Sequence, residues 1–593
     1  MNHSFHIPVL GLAYSVDTPI KVAKYGISSV ISIVDDELLE RLRAYYSESV
    51  GLAYQEIKEQ EEDARARRIT AYLNLVQRLV NEQIDELHQA DFSENRTIQQ
   101  YFDLLPDLHP LKQQYALWES MPSGHNKDIL KEKIREMILP GSIDVNIMSK
   151  VDKINHGKDG EALSEIYSDA SAAVRGFANS GLQSSLILSA GMNPRLYAYI
   201  AELPAFLPDS QGSFEKKITL KVSDYRSALI QAKYLAKRGI WISEYRIESG
   251  LNCGGHAFAT DGFLLGPILE EFKANKQALM DDVFPLYKLA LEDIGLEIEQ
   301  VPAVRLTVQG GVGTTQEHQF LLDYYDMDAV GWGSPFLLVP EATTVDEETL
   351  QNLAQADAND FYISNASPLG VPFNNFRKST AEKARLQRIA QGRPGFPCTK
   401  KYLISDSTFS DEPQCTASRA YQVNKINALK AENLNPEDYQ KAYDRIVEKQ
   451  CLCEGLATPA YLKYQILKPR ERSAVAICPG PNTAYFNKVY SLKEMVDHIY
   501  GRINVLQGVK RPSMFINELE LYVKHLSNYI QENLPDIDHK KKKYIHKFQQ
   551  QLVDGINYYR SLQDRVNQVF GESKAAFLEQ LTNYENQLKP LIV

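Results

Sequence analysis

Cysteine is scarce in this sequence: there are 6 in 593 residues. That density excludes a disulfide scaffold of the kind that staples small secreted domains. Long apolar runs are missing too. No stretch reaches the ~18–20 consecutive apolar residues that a spanning helix needs. The N-terminus has no charged-then-apolar leader, and its first apolar run, from Phe5, already reads as folded structure. The expectation is a cytoplasmic chain with no membrane span and no targeting segment. Positive charge is not in excess either. A net charge of −11 argues against a nucleic-acid surface as the main purpose. No G-x-G-x-x-G follows a predicted strand, so no separate nicotinamide-binding domain is expected.

What is present is ordinary globular material, with 44% hydrophobic and 24% charged residues. At ~100–200 residues per domain the length corresponds to about three to five domains, or fewer with large insertions. Residues 6–35 read as strand, helix, strand: "IPVLGLAY", then "TPIKVAKYG" with Pro19 near its start, then "ISSVISIV". Residues 36–138 are charged, poor in glycine and helical in period, and read as an insertion. The alternation then resumes. "IDVNIMSKVD", "SSLILSAG", "KKITLKVSD", "IWISEYRIESG", "VPAVRLTVQGG" and "MDAVGWGS" read as strands. Helices such as "SEIYSDASAAVRGFANSG", "FPLYKLALEDIG" and "TTQEHQFLLDYY" fall between them. Eight strands alternating with helices predict an α/β fold, a TIM (β/α)8 barrel, with an open doubly wound sheet as the alternative. The expected division is 1–35 plus 139–345 as the barrel, 36–138 as a helical insertion, 346–482 as an irregular cysteine-containing extension packing on the barrel, and 483–593 as a C-terminal helical region. The run Lys540 to Lys543 reads as a solvated helix end.

In such a barrel the chemistry lies at the C-terminal ends of the strands. Three of those ends are unusual. "TVQGGVGTTQEH" sets Gly310, Gly311 and Gly313 between a strand and a helix, where the backbone can approach an anion closely. "DAVGWGSPF" ends the next strand in Gly331, Gly333 and Ser334. Two glycine-rich ends on the last two strands make a phosphate cradle. The third is "ESGLNCGGHAF", with Gly254 and Gly255 giving room for a planar ring and His256 projecting toward the mouth, where an imidazole can move a proton near neutral pH. Ser189 and Asn193 in "LSAGMNP", and Lys221, Ser223 and Asp224 in "LKVSDYR", are further polar strand-end residues. So are Glu248 and Asn252 beside the histidine.

These motifs resemble the flavin-binding barrel of the nitronate monooxygenase (2-nitropropane dioxygenase) group, which includes enoyl reductases of polyunsaturated fatty acid and polyketide synthases. Glutamate synthase-like FMN barrels are a more distant likeness. The resemblance covers 6–35 and about 140–345, roughly half the chain. It implies FMN, with its phosphate on Gly310, Gly311, Gly331, Gly333 and Ser334. Gly11, Leu12 and Ala13 would lie along the ring, with Ser189, Ser223, Gly254 and Gly255 completing the cofactor set. It also implies His256 as acid/base, and Lys221 and Glu248 join it as catalytic candidates. Cys253 departs from the family pattern, which has a small residue before Gly-Gly-His, and the long insertion is foreign to the simple monooxygenases.

Four of the six cysteines fall close together: Cys398, Cys415, Cys451 and Cys453. Four thiolates suit an iron–sulfur cluster, which could feed electrons to a flavin, or zinc, although the C-x-x-C knuckle is absent. Four unrelated buried thiols are the third option. The sequence therefore predicts an FMN-dependent oxidoreductase acting on a small or carrier-bound organic substrate. Electrons would come from NAD(P)H or from a donor protein. A non-catalytic flavin-barrel scaffold and a flavin-free phosphosugar lyase or isomerase remain as alternatives.

Overall fold

The computed structural model describes residues 2–149, 152–157, 161–533, 537–565 and 574–591. Eight parallel strands close into a barrel in chain order. They are β1 (Phe5–Ile7), β2 (Ser28–Ser32), β3 (Ile143–Asn146), β4 (Ser184–Leu188), β5 (Lys216–Val222), β6 (Ile242–Glu248), β7 (Arg305–Gln309) and β8 (Ala329–Gly331). Closure is made by β8 against β1, with Phe5 opposite Val330 and His6 opposite Gly331. The fold is the TIM barrel, and the open sheet is excluded.

The strands are shorter than the apolar runs that announced them. β1 stops before Pro8, which has no N–H to give the ladder. Gly11, at φ +82°, then turns the chain. β3 stops at Asn146, and two residues of the run assigned to it, 150–151, lie outside the described residues.

Each strand is followed by helical structure that packs outside the barrel. α1 (Thr18–Val22) follows β1. Between β2 and β3 lie α2 (Asp36–Ser49), α3 (Ala64–Gln89), α4 (Arg96–Leu104), α5 (Pro110–Ser120) and α6 (His125–Glu136). The long α3 packs between α1 and the next shell helix, α7 (Asp169–Ala178). One stripe of α3 buries Ile69, Tyr72, Leu73, Val76 and Val80. It therefore fills the shell place over β2 and β3. α8 (Pro194–Ala201), α9 (Tyr225–Ala236), α10 (Leu265–Glu292) and α11 (Thr315–Asp323) continue the ring. α10 is one helix throughout, whereas the sequence placed a helix only from Phe284; Pro285 lies inside it.

Residues after β8 are less irregular than their Pro and Gly content implied. They form α12 (Glu347–Ala354), a hairpin of β9 (Phe361–Ser364) and β10 (Phe373–Phe376), α13 (Thr380–Ala390), α14 (Arg419–Ala431), α15 (Pro436–Val447), α16 (Leu452–Gly455) and α17 (Thr458–Lys463). The C-terminal region contributes α18 (Leu492–Ile499), α19 (Met514–Asn533), α20 (His539–Ser561) and α21 (Lys574–Leu588). The last three pack on one another, and α19 and α20 also pack on α10. The lysine run occupies the first turn of α20, as expected.

The barrel interior is not wholly apolar. Arg246 reaches Glu244 at 2.7 Å and Asp144 at 3.4 Å, Arg305 lies 3.3 Å from Glu244, and the Thr307 hydroxyl donates to Glu244 at 2.7 Å. Burial alone would push the Glu244 carboxyl up, but the two guanidinium groups outweigh it and hold it at about 2. This compensated ion layer lies within the strands, below their C-terminal ends.

Candidate functional site

A cavity of about 710 Å³ lies at the C-terminal ends of the barrel strands, within the range of small-molecule and cofactor sites. All eight strands contribute residues from just beyond their ends: Leu10 after β1, Val34 after β2, Met148 after β3, Ser189 after β4, Ser223 after β5, Cys253 after β6, Gly311 after β7 and Gly333 after β8. The roof comes from the segment after β8. Leu369, Phe373, Leu403, Leu452, Cys453, Leu456, Ile477 and Cys478 line it. Hydrogen bonds hold that roof to the β1 loop: Ala13 N–H donates to Leu456 O at 3.1 Å, and the Tyr14 hydroxyl donates to Ala476 O at 2.6 Å.

Of the residues singled out in the sequence, Gly11, Leu12, Ser189, Lys221, Ser223, Glu248, Gly254, Gly255, His256, Gly310, Gly311, Gly331, Gly333 and Ser334 line this one cavity. Ala13 does not. It is fully buried behind the wall, bonded to the roof. Asn193 and Asp224 are helix caps: their carboxyl or carboxamide oxygens accept from Leu196 N–H at 3.1 Å and Ser227 N–H at 2.7 Å.

Lys221 Nζ lies 2.9 Å from Glu248 Oε2, and Gln309 Nε2 donates to the same oxygen at 2.9 Å. Three adjacent strands, β5, β6 and β7, thus end in one polar cluster. His256 is held by the hairpin. Asn374 N–H donates to Gly255 O at 2.9 Å, and Ala257 N–H to Pro372 O at 2.8 Å. Its Nε2 is 2.7 Å from Ser367 Oγ, and Phe373 meets its ring edge-on. Ser367 Oγ also accepts from Leu369 N–H at 3.3 Å.

The glycines have neighbours the sequence did not reveal. A Cβ on Gly254 would come within 2.6 Å of Cys478 O, so this glycine admits the roof backbone. Gly480 N–H then donates to Ser334 Oγ at 2.8 Å. Gly311, at φ +80°, presses on Asn252, whose amide would meet a Cβ at 2.0 Å. Gly313 N–H is taken by Glu317 Oε2 at 2.8 Å, which removes it from the donors expected for an anion. Arg511, from the loop before α19, neutralises that carboxylate at 2.7 Å. The same guanidinium donates to Gly311 O at 2.5 Å and to Asn482 Oδ1 at 2.9 Å. The glycine loop after β7 is therefore buttressed from the C-terminal region.

Two buried carboxamide oxygens in the cavity wall, Asn252 Oδ1 and Gln309 Oε1, have no hydrogen-bond partner among the described residues. Unpartnered buried oxygens are costly unless something meets them. The three cysteines that reach the cavity are poor nucleophiles. Burial pushes the Cys478 thiol up to about 12, and raises Cys253 and Cys453 as well.

The expected metal set does not assemble. Among the described residues no group of three or more His, Cys, Asp or Glu is placed to hold a metal ion. Cys398 and Cys415 are free thiols, the first partly accessible and the second buried. Cys451 instead accepts from Arg472 Nη2 at 3.0 Å, and Cys453 faces the cavity. A guanidinium against one of the four thiols is unfavourable company for a cation, and the iron–sulfur and zinc expectations are withdrawn. No helix among the described residues is long and apolar enough to cross a membrane.

Sequence reasoning missed Gln309, Ser367 and Arg511. Gln309 sits directly before the noted Gly-Gly and was within reach of a strand-end reading. Ser367 and Arg511 carry no local signal.

No family model and no curated protein matches the chain. Among solved structures, the enoyl reductase domain of MlnA from Bacillus amyloliquefaciens is similar at 16% identity and a TM-score of 0.34, covering 68% of this chain and 87% of that one. FabK from Thermotoga maritima is similar at 12% and 0.29, over 69% and 86%. Nitroalkane oxidase from Streptomyces ansochromogenes is similar at 9% and 0.33, over 85% and 97%. At these scores the likeness carries no argument about activity.

Proposed function

We propose that the chain is an FMN-dependent oxidoreductase of the enoyl reductase or nitronate monooxygenase type. The observation that carries the reading is the cavity itself. It collects the glycine-rich ends of β6, β7 and β8, an ion pair, a histidine and two unpartnered carboxamide oxygens at one barrel mouth. The residues fit the group in three respects. The volume accommodates a flavin mononucleotide. The walls near Leu10, Leu12 and Ile477 are apolar, as an aromatic ring system requires. Asn252 and Gln309 offer oxygens that lack donors.

FMN, when bound, would supply the hydride or electron transfer. The backbone of 311–312 and 333–334 would hold its phosphate, in a loop kept in shape by Arg511. Lys221 would place positive charge in the mouth, with Glu248 and Gln309 fixing its position. His256 would hold or deliver a proton at the substrate, oriented by Ser367. The roof of 452–482 would keep water from the reacting atoms. The substrate class is an organic molecule with an activated double bond or a stabilised carbanion, free or carrier-bound. NAD(P)H or a donor protein would provide electrons. The division into barrel, insertion at 36–138, extension at 346–482 and C-terminal region belongs to the same proposal, as does a cytoplasmic location.

The test is the visible spectrum of the protein as purified and after dialysis against FMN. A flavin band that bleaches under anaerobic reduction, and returns on adding an electron-poor alkene, supports the reading. A colourless protein that takes up no FMN overturns it.

A further inference from the structure

The loop after β6, residues 249–256, carries the cavity's histidine, yet it is fastened from the far end of the chain. Met514, Glu518 and Tyr522 recur at every fourth residue of α19 and lie along one side of it. Each holds the loop or its continuation. Asn252 Nδ2 donates to Met514 O at 3.3 Å, Ser249 Oγ shares a 2.5 Å hydrogen bond with Glu518 Oε1, and the Tyr522 and Thr260 hydroxyls are 2.8 Å apart. Ser249 Oγ also accepts from Asn252 N–H at 3.2 Å, and Ser249 N–H donates to Gln309 O at 3.2 Å. Ser249 and Asn252 both line the cavity. With its Nδ2 committed to Met514, Asn252 keeps one unmet side-chain atom, Oδ1, on a residue that is 2% exposed. Gly311 closes the other side, where a Cβ would meet the carboxamide carbon at 2.5 Å. The carboxamide is clamped, and its oxygen is the atom left for a ligand.

We propose that Glu518 is a positioning residue for the bound molecule: through Ser249 it sets the loop after β6 so that Asn252 Oδ1 accepts, and the Ser249 hydroxyl donates, hydrogen bonds to the flavin. This rests on the flavin reading above and adds the C-terminal region to its site.

The direction of the Ser249 hydroxyl follows from the proton on Glu518. Glu518 Oε2 takes Leu265 N–H at 2.8 Å and lies 3.5 Å from the Tyr559 hydroxyl, so an acid proton belongs on Oε1, facing Ser249. Ser249 Oγ then accepts from Glu518 and from Asn252 N–H, and its own hydrogen turns to the cavity. Once Glu518 ionises, that hydrogen is drawn back to the carboxylate and the cavity loses a donor. The titratable groups facing Glu518 are Tyr522 on its own helix, Tyr559 on α20 and Cys253 in the loop, all kept neutral by burial. No cation faces it among the described residues. Burial raises the carboxyl to about 7, so the protonated, donating state prevails below about 7 and is lost above it. FMN affinity is therefore highest on the acid side.

The experiment is calorimetric titration of FMN into flavin-free full-length protein, from about pH 6 to about pH 9, in buffers of different ionisation enthalpy. Wild type is compared with Glu518→Gln, Ser249→Ala and Asn252→Ala. In Glu518→Gln the carboxamide N–H donates to Ser249 at every pH. Ionisation of the FMN phosphate is common to all the proteins, so the difference between profiles isolates Glu518. Relative to Glu518→Gln, wild type should lose about fivefold or more in affinity across this range, the worth of one neutral hydrogen bond. Near neutral pH it should also take up protons on binding that Glu518→Gln does not. Ser249→Ala keeps the carboxyl, lacks the hydroxyl and should lose the same pH-linked difference, which supplies the test independently of Glu518→Gln. Asn252→Ala should bind about fivefold more weakly, or worse, at every pH. Matching pH profiles and proton uptake in wild type and Glu518→Gln overturn the proposal and leave the flavin reading standing. Wild-type affinity in Asn252→Ala does the same. No FMN binding by folded wild type overturns the flavin reading and this assignment with it. Circular dichroism establishes that each variant is folded.

Discussion

Lys221 and Glu248 form a 2.9 Å ion pair that joins the neighbouring strands β5 and β6 at the cavity mouth. Each side chain is 18% exposed, so the pair is shielded but not sealed. Gln309 donates to the same carboxylate. Removing one partner leaves the other charge without its counterion. Lys221→Met and Glu248→Gln should each weaken FMN binding by about tenfold or more, from the ~1.5–3 kcal/mol typical of hydrogen bonds to charged groups. The double variant should lose less than the sum of the two, as contacting residues do. A fluorescence titration of the four proteins checks this.

His256 and Ser367 separate proton transfer from cofactor binding. His256→Ala should retain FMN and lose ~10²–10⁴-fold in turnover, the range for general acid–base catalysis. Ser367→Ala removes the group at its Nε2 together with the acceptor of Leu369 N–H. It should lower turnover by roughly 3–10-fold, about one neutral hydrogen bond, and shift the pH–rate profile. Unchanged pH dependence in Ser367→Ala would contradict the orienting role.

Arg511 and Glu317 are 4% and 1% exposed in their side chains. Arg511→Met strands a buried carboxylate, a loss of ~3–5 kcal/mol for a broken buried pair. Thermal unfolding should show it as a clear drop in Tm. Arg511→Lys should restore little, because one ammonium cannot span Glu317, Gly311 and Asn482 as the guanidinium does.

The barrel was legible in the sequence because its strands are short apolar runs, most of them ending in glycine or a small polar residue. The mouth residues were legible because a barrel confines its site to those ends. The roof was not. Residues 346–480 show no sustained periodicity, and their helices are short and interrupted by loops. Gly254 illustrates the gap: its lack of a side chain admits the backbone of Cys478, distant in sequence. The four cysteines were read as one set because they are close in sequence. Folding gives them different surroundings: Cys451 accepts from Arg472, Cys453 lines the cavity, Cys415 is buried and Cys398 is partly accessible.

Glu518, on α19, makes stability depend on pH. Burial raises its carboxyl to about 7. Its oxygens accept from Ser249 Oγ at 2.5 Å and Leu265 N–H at 2.8 Å. The folded state holds a proton that the unfolded chain has already released above its ordinary value of about 4.3. That contribution is fully present below about 4.3, and it is lost as pH rises from there to about 7, at up to ~1.4 kcal/mol per pH unit. Glu518→Gln should flatten this slope. Denaturant unfolding of both proteins between pH 5 and pH 8 measures the difference.

The central claim is that the cavity at the barrel mouth holds one flavin mononucleotide. Isothermal titration of FMN into flavin-free protein tests it most directly, with riboflavin as the control that lacks the phosphate. The account predicts saturation at one FMN per chain, with riboflavin bound more weakly by the contribution of the phosphate cradle. No heat and no saturation with FMN, in protein shown to be folded, would contradict it.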